Sequence, residues 1–458
     1  MSTVQNYIDE NIKTFEEELF RFLRIPSVST DSKHKADVKK AAVFLANQLN
    51  EIGLDKITMH DTPGHPIITA EKCEHDDKPT VLIYGHYDVQ PSDPDELWKT
   101  PPFEPTVKEG RVYARGASDD KGQSFTHIKS VQAFLKTGTK LPVNVKYILE
   151  GEEEIGSPNL VPFIKNNKEL LACDMVLISD TAMFDENQPS ITYGLRGLAY
   201  MEIHITGPNR DLHSGIFGGA VENPANVLCE IIAALKDKDG VVQIPGFYDD
   251  VEPLSPEMRE AYKALPFNEE EYKRSLDLKT LHGEKGYSTL ERSSARPTLD
   301  VNGLWSGYQG EGAKTVLPAK ASAKVSMRLV PGQDPDKISK LFAAHVQSMA
   351  PDTVTVDVVS HHGGYPIVID LDFYGLKAAA KAFEDIYDTE VLFSREGGSI
   401  PIVADFKKVL GVNSILMGFG ITRDALHSPN ESFSLKDFHR GIKTSARFFE
   451  VLSDFVDT

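Results

Sequence analysis

Two imidazoles and three carboxylates stand where apolar runs of this chain give way to loops: His86, Asp119, Glu154, Asp180 and His427. Together they form a borderline-to-hard donor set that suits zinc, manganese or cobalt and disfavours copper(I). Five side chains exceed what one tetrahedral zinc needs. A single carboxylate bridging two metals about 3.5–4 Å apart would use them all, an arrangement that recurs in aminopeptidases and phosphatases. Taken one at a time, each acid could equally be a helix cap or a surface charge, and Asp119 with Asp120 sits just ahead of a helical pattern where acids are favourable. Their shared position at the ends of elements is what sets them apart.

The elements that must gather these residues are legible from periodicity. The run VLIYGHYDVQ (81–90) opens as a buried parallel strand and delivers His86 and Asp88, two apart and so on one face, at the sheet's carboxyl edge. Open α/β sheets place their ligands at that edge. Apolar residues at helical spacing predict helices over 4–24 and 36–52, and short strands follow at 57–60 and 67–70. After the glycine-punctuated GRVYARGASDDKG (110–122) comes a helix to about 135, a strand at 143–149 ending in EGEEEIGS, and an apolar strand at 175–178 ending in Ser179-Asp180. Strands alternating with helices predict an α/β fold with a mainly parallel sheet.

From about residue 192 the texture changes to alternating strands, as for a sheet covered on one face. A helix at 224–235 opens on Pro224, and residues 246–300 are polar and lack sustained periodicity. Alternation returns around 325–329, with a helix at 335–349 and a strand at 353–359. Residues 192–370 thus read as an α+β unit inserted into a first domain made of 1–191 and 371–458. In the latter the pattern resumes with a helix at 372–387, strands near 389–393 and 414–417, and a last helix opened by Ser434 with Asp437 at capping-box spacing.

At 458 residues the chain is too long for one ordinary core. Its 68 acidic against 49 basic residues give a net charge of −19, which disfavours nucleic acid or an anionic membrane surface as partner. No signal peptide is evident, and no apolar run approaches the roughly 20 residues of a membrane helix. Cys73, Cys173 and Cys229 form neither a zinc motif nor a disulfide framework, which fits a reducing cytoplasm.

YGHYDVQ, the glycine-rich ASDDKG turn, EGEEEIGS, ISD and the late LHSPNE follow one another in the order and approximate spacing of the M20 metallopeptidase family. The chain most resembles the branch of that family containing the cytosolic non-specific dipeptidases and carnosinases, and the resemblance spans essentially all of it. It implies a catalytic domain holding two divalent ions, Zn2+ or Mn2+, interrupted by a lid domain through which the protein forms a homodimer. By motif, His86 and Asp180 would bind one ion, Glu154 and His427 the other, and Asp119 would bridge them. Asp88 would sit behind His86 and fix its tautomer. Glu153 would be the general base acting on the bridging water. The triple Glu leaves this register open by one place, and the following Gly-Ser favours Glu153 as base and Glu154 as ligand.

The same resemblance assigns residues on the substrate side. His213 of DLHSG would reach the partner subunit's active site to stabilise the oxyanion, and Thr315 would contact substrate across the dimer. Arg328 would bind the terminal carboxylate in bidentate fashion. In REGGSIP, Ser399 would bond that carboxylate, Gly398 with Gly397 would let backbone approach the peptide, and Glu396 would meet a free amino group. His362, or equally His361, would be a further contact. An arginine for one end and acids for the other describe a pocket for a dipeptide. Two other readings of the same residues are an N-acyl amino acid deacylase and a non-catalytic metal-dependent binding protein. A phosphohydrolase would want a phosphate-cradling loop or clustered Arg and Lys near the site, and neither is found.

Overall fold

The computed structural model describes residues 2–398 and 400–456, with all their side chains except those of His362 and Val456. It divides into two compact units: Met1–Tyr193 with Ile369–Ser394 and Asp405–Thr458, and Gly194–Val368 with Arg395–Ala404.

Four parallel strands form the centre of the first unit's sheet, in the order Asn144–Glu150, Thr80–His86, Met175–Ile178, Asn413–Leu416. Ile67–Lys72 and Asp55–His60 extend one side in antiparallel fashion, and Ser190–Leu195 meets Asn413–Leu416 antiparallel on the other. The sheet is therefore mainly parallel at its heart, in an α/β architecture. The chain runs from Thr80–His86 to a neighbour on one side and then crosses to Met175–Ile178 on the other. Such reversals of strand order leave a crevice at the carboxyl ends, where α/β proteins seat ligands. Register decides what stands there. His86 pairs with Glu150, and Tyr84 with Ile178, so Asp180, two residues beyond Ile178, comes level with His86.

Thr3–Leu23 is capped by the Ser2 hydroxyl, which accepts from the Gln5 N–H, and Lys35–Ile52 stops at Gly53 with φ +100°. Between these helices and the sheet runs Lys121–Lys136, buried from Lys121 through Phe134. Its polar side chains are internally satisfied. Lys121 Nζ donates to Ile25 O at 2.7 Å, Lys129 Nζ to Gln48 Oε1 at 2.7 Å, and the His127 ring lies between Ser179 Oγ and Ser445 Oγ at 2.7 and 2.8 Å. Burial without such partners would cost several kcal/mol per charge. The final helix, Leu435–Val456, starts with the Asp437 N–H on Ser434 Oγ, but the Asp437 carboxylate makes no return hydrogen bond. Only one half of a capping box forms. The strand expected from residue 389 begins at Leu392, because the preceding helix closes at Asp388 in the left-handed region, φ +52°.

In the second unit four antiparallel strands run in the order Thr298–Ser306, Lys320–Leu329, Gly197–Thr206, Thr355–Gly364. Alternate residues of Gly197–Thr206 are buried, and helices Pro224–Ala234 and Pro335–Ser348 close the core on that face. Residues 246–300, which carry no sustained periodicity, hold three short helices, Pro256–Ala264, Glu269–Ser275 and Thr289–Ser294, capped by Ser255, Asn268 and Ser288. No helix among the described residues is long and apolar enough to cross a membrane, and all three cysteines are free thiols.

Gly122, second residue of Lys121–Lys136, ties this packing to the sheet edge. A Cβ there would lie 1.8 Å from Ala117 O and 2.8 Å from the Phe433 ring, so any side chain must push back the loop that leads to Asp119. We predict that Gly122→Ala destabilises the protein by about 1–3 kcal/mol, as overpacking does. A denaturation midpoint equal to that of the parent chain would contradict this.

Candidate metal centre

His86 closes its strand with no exposed side-chain surface. Its Nε2 lies 3.1 Å from Asp119 Oδ1 and 4.0 Å from Asp180 Oδ2. On the other flank, His427 Nε2 stands 2.9 Å from Asp119 Oδ2 and 3.4 Å from Glu154 Oε2. Two groups of potential ligands result, His86–Asp119–Asp180 and Asp119–Glu154–His427, each with its donor atoms within 4.8 Å of one another. Asp119 belongs to both, one oxygen toward each histidine. All five residues lie in the first unit.

Three further acids, Asp88, Glu431 and Asp120, hold this arrangement by accepting backbone N–H groups. The Asp88 carboxylate, fully buried, accepts the backbone N–H groups of Glu153 at 3.3 Å and Glu154 at 3.1 Å. His86 Nδ1 is closer to the Asp88 carbonyl (3.1 Å) than to its carboxylate (3.4 Å). Asp88 thus orients the imidazole largely through its backbone and spends its carboxylate on the Glu153–Ile155 turn. Within the triple Glu, Glu152 is tied elsewhere, accepting from the His65 N–H and from Asn159 Nδ2. Glu154 faces the second group and takes a 2.6 Å hydrogen bond from Gln90 Nε2.

Glu431, the last residue of LHSPNE, was given no role by sequence. Its buried carboxylate accepts from Arg115 Nη1 at 2.8 Å and from the N–H groups of Gly116, Ser118 and Asp119 at 3.0, 3.0 and 3.1 Å. It sets the loop that carries the shared Asp119. Asp120 likewise accepts the His86 N–H at 3.3 Å. Neither residue sits in a periodic pattern, so only their adjacency to the candidate ligands could have flagged them. His427 has φ +58°, a left-handed conformation that histidine adopts more readily than most residues.

Electrostatics at the cluster favour a cation. Burial, followed by the Asp119 and Glu153 charges among others, pushes Glu154 up to about 8. Asp180 is raised well above the carboxylate range by burial and by Asp119. Burial and the nearby Asp119 and Asp88 carboxylates likewise raise Glu153, against the opposing pull of His86. Burial opposes ionisation of Asp119, but hydrogen bonds from His427 and His86 outweigh it and hold that carboxyl below its usual range. Among the described residues, Glu154 Oε1 is buried with no hydrogen-bond partner, and His86 Nε2 has only carboxylates before it. A buried carboxylate oxygen without a partner, beside an imidazole nitrogen that meets only carboxylates, fits a divalent cation.

The residues expected on the substrate side belong to the second unit, apart from Ser399, which lies outside the described residues. His213 is exposed, its Nδ1 accepting from the Gly215 N–H, and the strand it ends pairs with Val316–Leu317 just after Thr315. Arg328 is half-buried, paired in register with Leu198 and Thr298. Glu396 ends its strand, and Gly398 has open space where a Cβ would stand. His361 Nε2 pairs with Glu202 at 2.7 Å, and nothing is described of the His362 side chain.

Residues 82–451 match the model of peptidase family M20/M25/M40. Over 95% of its length the chain is 35% identical to the Cys-Gly metallodipeptidase DUG1 of Candida albicans, of which it covers 94%. The solved structure of human carnosine dipeptidase 1 superposes with a TM-score of 0.86 at 30% identity over 98% of both chains. The M20 family metallo-carboxypeptidase Sso-CP2 of Sulfolobus solfataricus gives 0.87 at 34% identity, over 96% of this chain and 99% of that one.

Cation binding must displace protons from this cluster. With no cation bound, Glu154 titrates at about 8, chiefly through burial, and His427 at about 9, chiefly through its hydrogen bond to Asp119. At pH 7 both sit below those values and are protonated, whereas ligation needs a carboxylate and a neutral imidazole. Adding Mn2+ or Zn2+ to metal-stripped protein at pH 7 should therefore release protons, and affinity should rise with pH until about 9. Calorimetry in buffers of differing ionisation enthalpy measures this, and proton-neutral binding at pH 7 would contradict it.

Proposed function

The chain belongs to peptidase family M20/M25/M40 and is a metallopeptidase, and from that premise we propose that it is a dinuclear dipeptidase cleaving short peptides with a free N-terminus. The observation that carries the proposal is the Asp119 carboxylate, common to two groups of three ligands. His86 and Asp180 would hold one divalent ion and Glu154 and His427 the other, with Asp119 between them. Such ions, zinc or manganese, would polarise the scissile carbonyl and acidify water. The chain's own residues do the rest. Glu153 takes a proton from the attacking water at its carboxylate and delivers it to the leaving amine nitrogen as the C–N bond breaks. Burial, which raises its pKa, makes its carboxylate a stronger proton acceptor. Asp88 keeps Glu153 in place through the backbone.

In this reading the first unit is the catalytic domain and the second a lid through which two copies associate. The outer strand Thr298–Ser306 exposes Leu304 and Trp305 at 51% and 38%, which supports an interface there. His213 and Thr315 would act on the partner subunit's site. Arg328 and Ser399 would hold the substrate's free carboxylate, Glu396 its amino group, with Gly398 and His362 beside them. The similarity to Cys-Gly and carnosine dipeptidases supports dipeptides as the substrate class, and the free thiols support a reducing cytoplasm. A second reading draws on Sso-CP2: removal of C-terminal residues from longer peptides, using the same carboxylate recognition.

The test is hydrolysis of a panel by metal-stripped protein with manganese or zinc restored: free dipeptides, N-acetyl amino acids, a tripeptide and a longer peptide. Cation-dependent cleavage centred on free dipeptides is expected. Glu153→Gln should retain its metal and its fold and lose activity by at least about 100-fold. Cleavage of the acetylated compounds alone would make the protein a deacylase, and stepwise C-terminal trimming of the longer peptide would make it a carboxypeptidase.

A further inference from the structure

The segment carrying Glu396 and Gly398 is held by one side chain that no motif marks. Arg196 lies between strands Ser190–Leu195 and Gly197–Thr206. Its backbone N–H donates to Glu396 O at 3.3 Å and its Nε to Gly397 O at 3.0 Å. Nη1 donates to Arg292 O and Arg296 O at 3.4 and 3.2 Å. One planar fork thus joins the Glu396–Gly397 backbone to the end of helix Thr289–Ser294 and the residues after it. The joint is tight. A Cβ on Gly397 would lie 2.1 Å from Ser293 O and 2.7 Å from Arg196 Nη2, so only glycine lets the two backbones meet.

Arg196 also lies near the strand pairing that carries Arg328. Leu198, two residues on, is the strand partner of Arg328, and burial first, then the Arg328 charge, lowers Arg196 to about 10. The Asp300 carboxylate favours the charged form of both arginines against the effect of burial. Arg296, one of the residues whose carbonyl Arg196 reaches, is held in a bidentate pair with Glu284 at 2.7 Å on both arms.

We propose that Arg196 is a positioning residue for recognition of the substrate's free carboxylate: it clasps the Glu396–Gly397 backbone against Ser293, on the segment that would meet that carboxylate. This rests on the reading that Arg328 and the 395–401 segment receive the substrate. Lysine at 196 would keep the charge but lose the fork that reaches three carbonyls on two segments, so it cannot substitute fully.

The experiment is steady-state kinetics on metal-loaded protein with a free dipeptide and its C-terminal amide, the amide serving as substrate or competitive ligand. The variants are Arg196→Ala, Arg196→Lys, Gly397→Ala, the Arg196→Ala/Gly397→Ala double and Arg328→Met, each checked by thermal unfolding. Arg196→Ala should raise KM for the free dipeptide by about 10- to 100-fold, the loss expected for hydrogen bonds to a charged group, with a far smaller change in kcat. The amide should be affected less than about threefold, and Arg196→Lys should recover only part of the loss. The double variant should be no worse than the worse single one, because both changes release the same segment. A KM within twofold of the parent in a folded Arg196→Ala protein, or equal losses for acid and amide, overturns the proposal. Should Arg196→Ala not fold, Arg196→Lys and Gly397→Ala carry the same test, and an unchanged KM in both overturns it. If Arg328→Met also leaves KM unchanged, the carboxylate reading itself fails. If Arg328→Met raises KM and Arg196→Ala does not, only the present proposal falls.

Discussion

Carboxyl groups crowded at one sheet edge are the constraint on which this structure turns. Asp119, Asp120, Glu150, Glu153, Glu154 and Asp180 are gathered around His86, and among them burial and mutual repulsion raise all but Asp119. Like charges at such separations in a low-dielectric interior cannot all ionise unless cations join them. Every element near the edge serves to hold that unfavourable arrangement rigid. Parallel strands fix His86 and the start of each acidic loop in register. The buried helix Lys121–Lys136 presses its first turn against the Asp119 loop.

Backbone hydrogen bonding, more than contact between side chains, sets the precision of the cluster. Asp88 orients the Glu153–Ile155 turn, and Glu431 orients residues 116–119, each by accepting main-chain N–H groups. Neither acid supplies a ligand, yet the ligands' positions follow from them. The Arg115–Glu431 pair is fully buried, and a pair of this kind costs about 3–5 kcal/mol when one member is removed. The candidate metal centre and the stability of the first unit are therefore coupled through the same residues.

Much of this was legible in the sequence, for identifiable reasons. Apolar runs ending in acids or histidines announced the strand ends, and strict alternation announced the second unit's sheet. The helix Lys121–Lys136 was legible as an element but not as a buried one. Lys121, His127 and Lys129 look solvent-facing until their partners on distant segments are known. The 246–300 segment hid three helices too short for periodicity to show, although Ser255, Asn268 and Ser288 offered caps. Glu431 stood in plain view inside LHSPNE, but a role that consists of accepting N–H groups three hundred residues away leaves no local trace. Arg196 left none either, since a hydrogen bond to a carbonyl, which every residue has, leaves no mark in the sequence.

Counting bound divalent ions per chain by mass spectrometry, in the parent protein and in Asp119→Asn, tests the shared carboxylate most directly. The account gives about two ions for the parent and a loss of both in Asp119→Asn, because one side chain completes both ligand groups. A single ion in the parent, or two retained by Asp119→Asn, would contradict it.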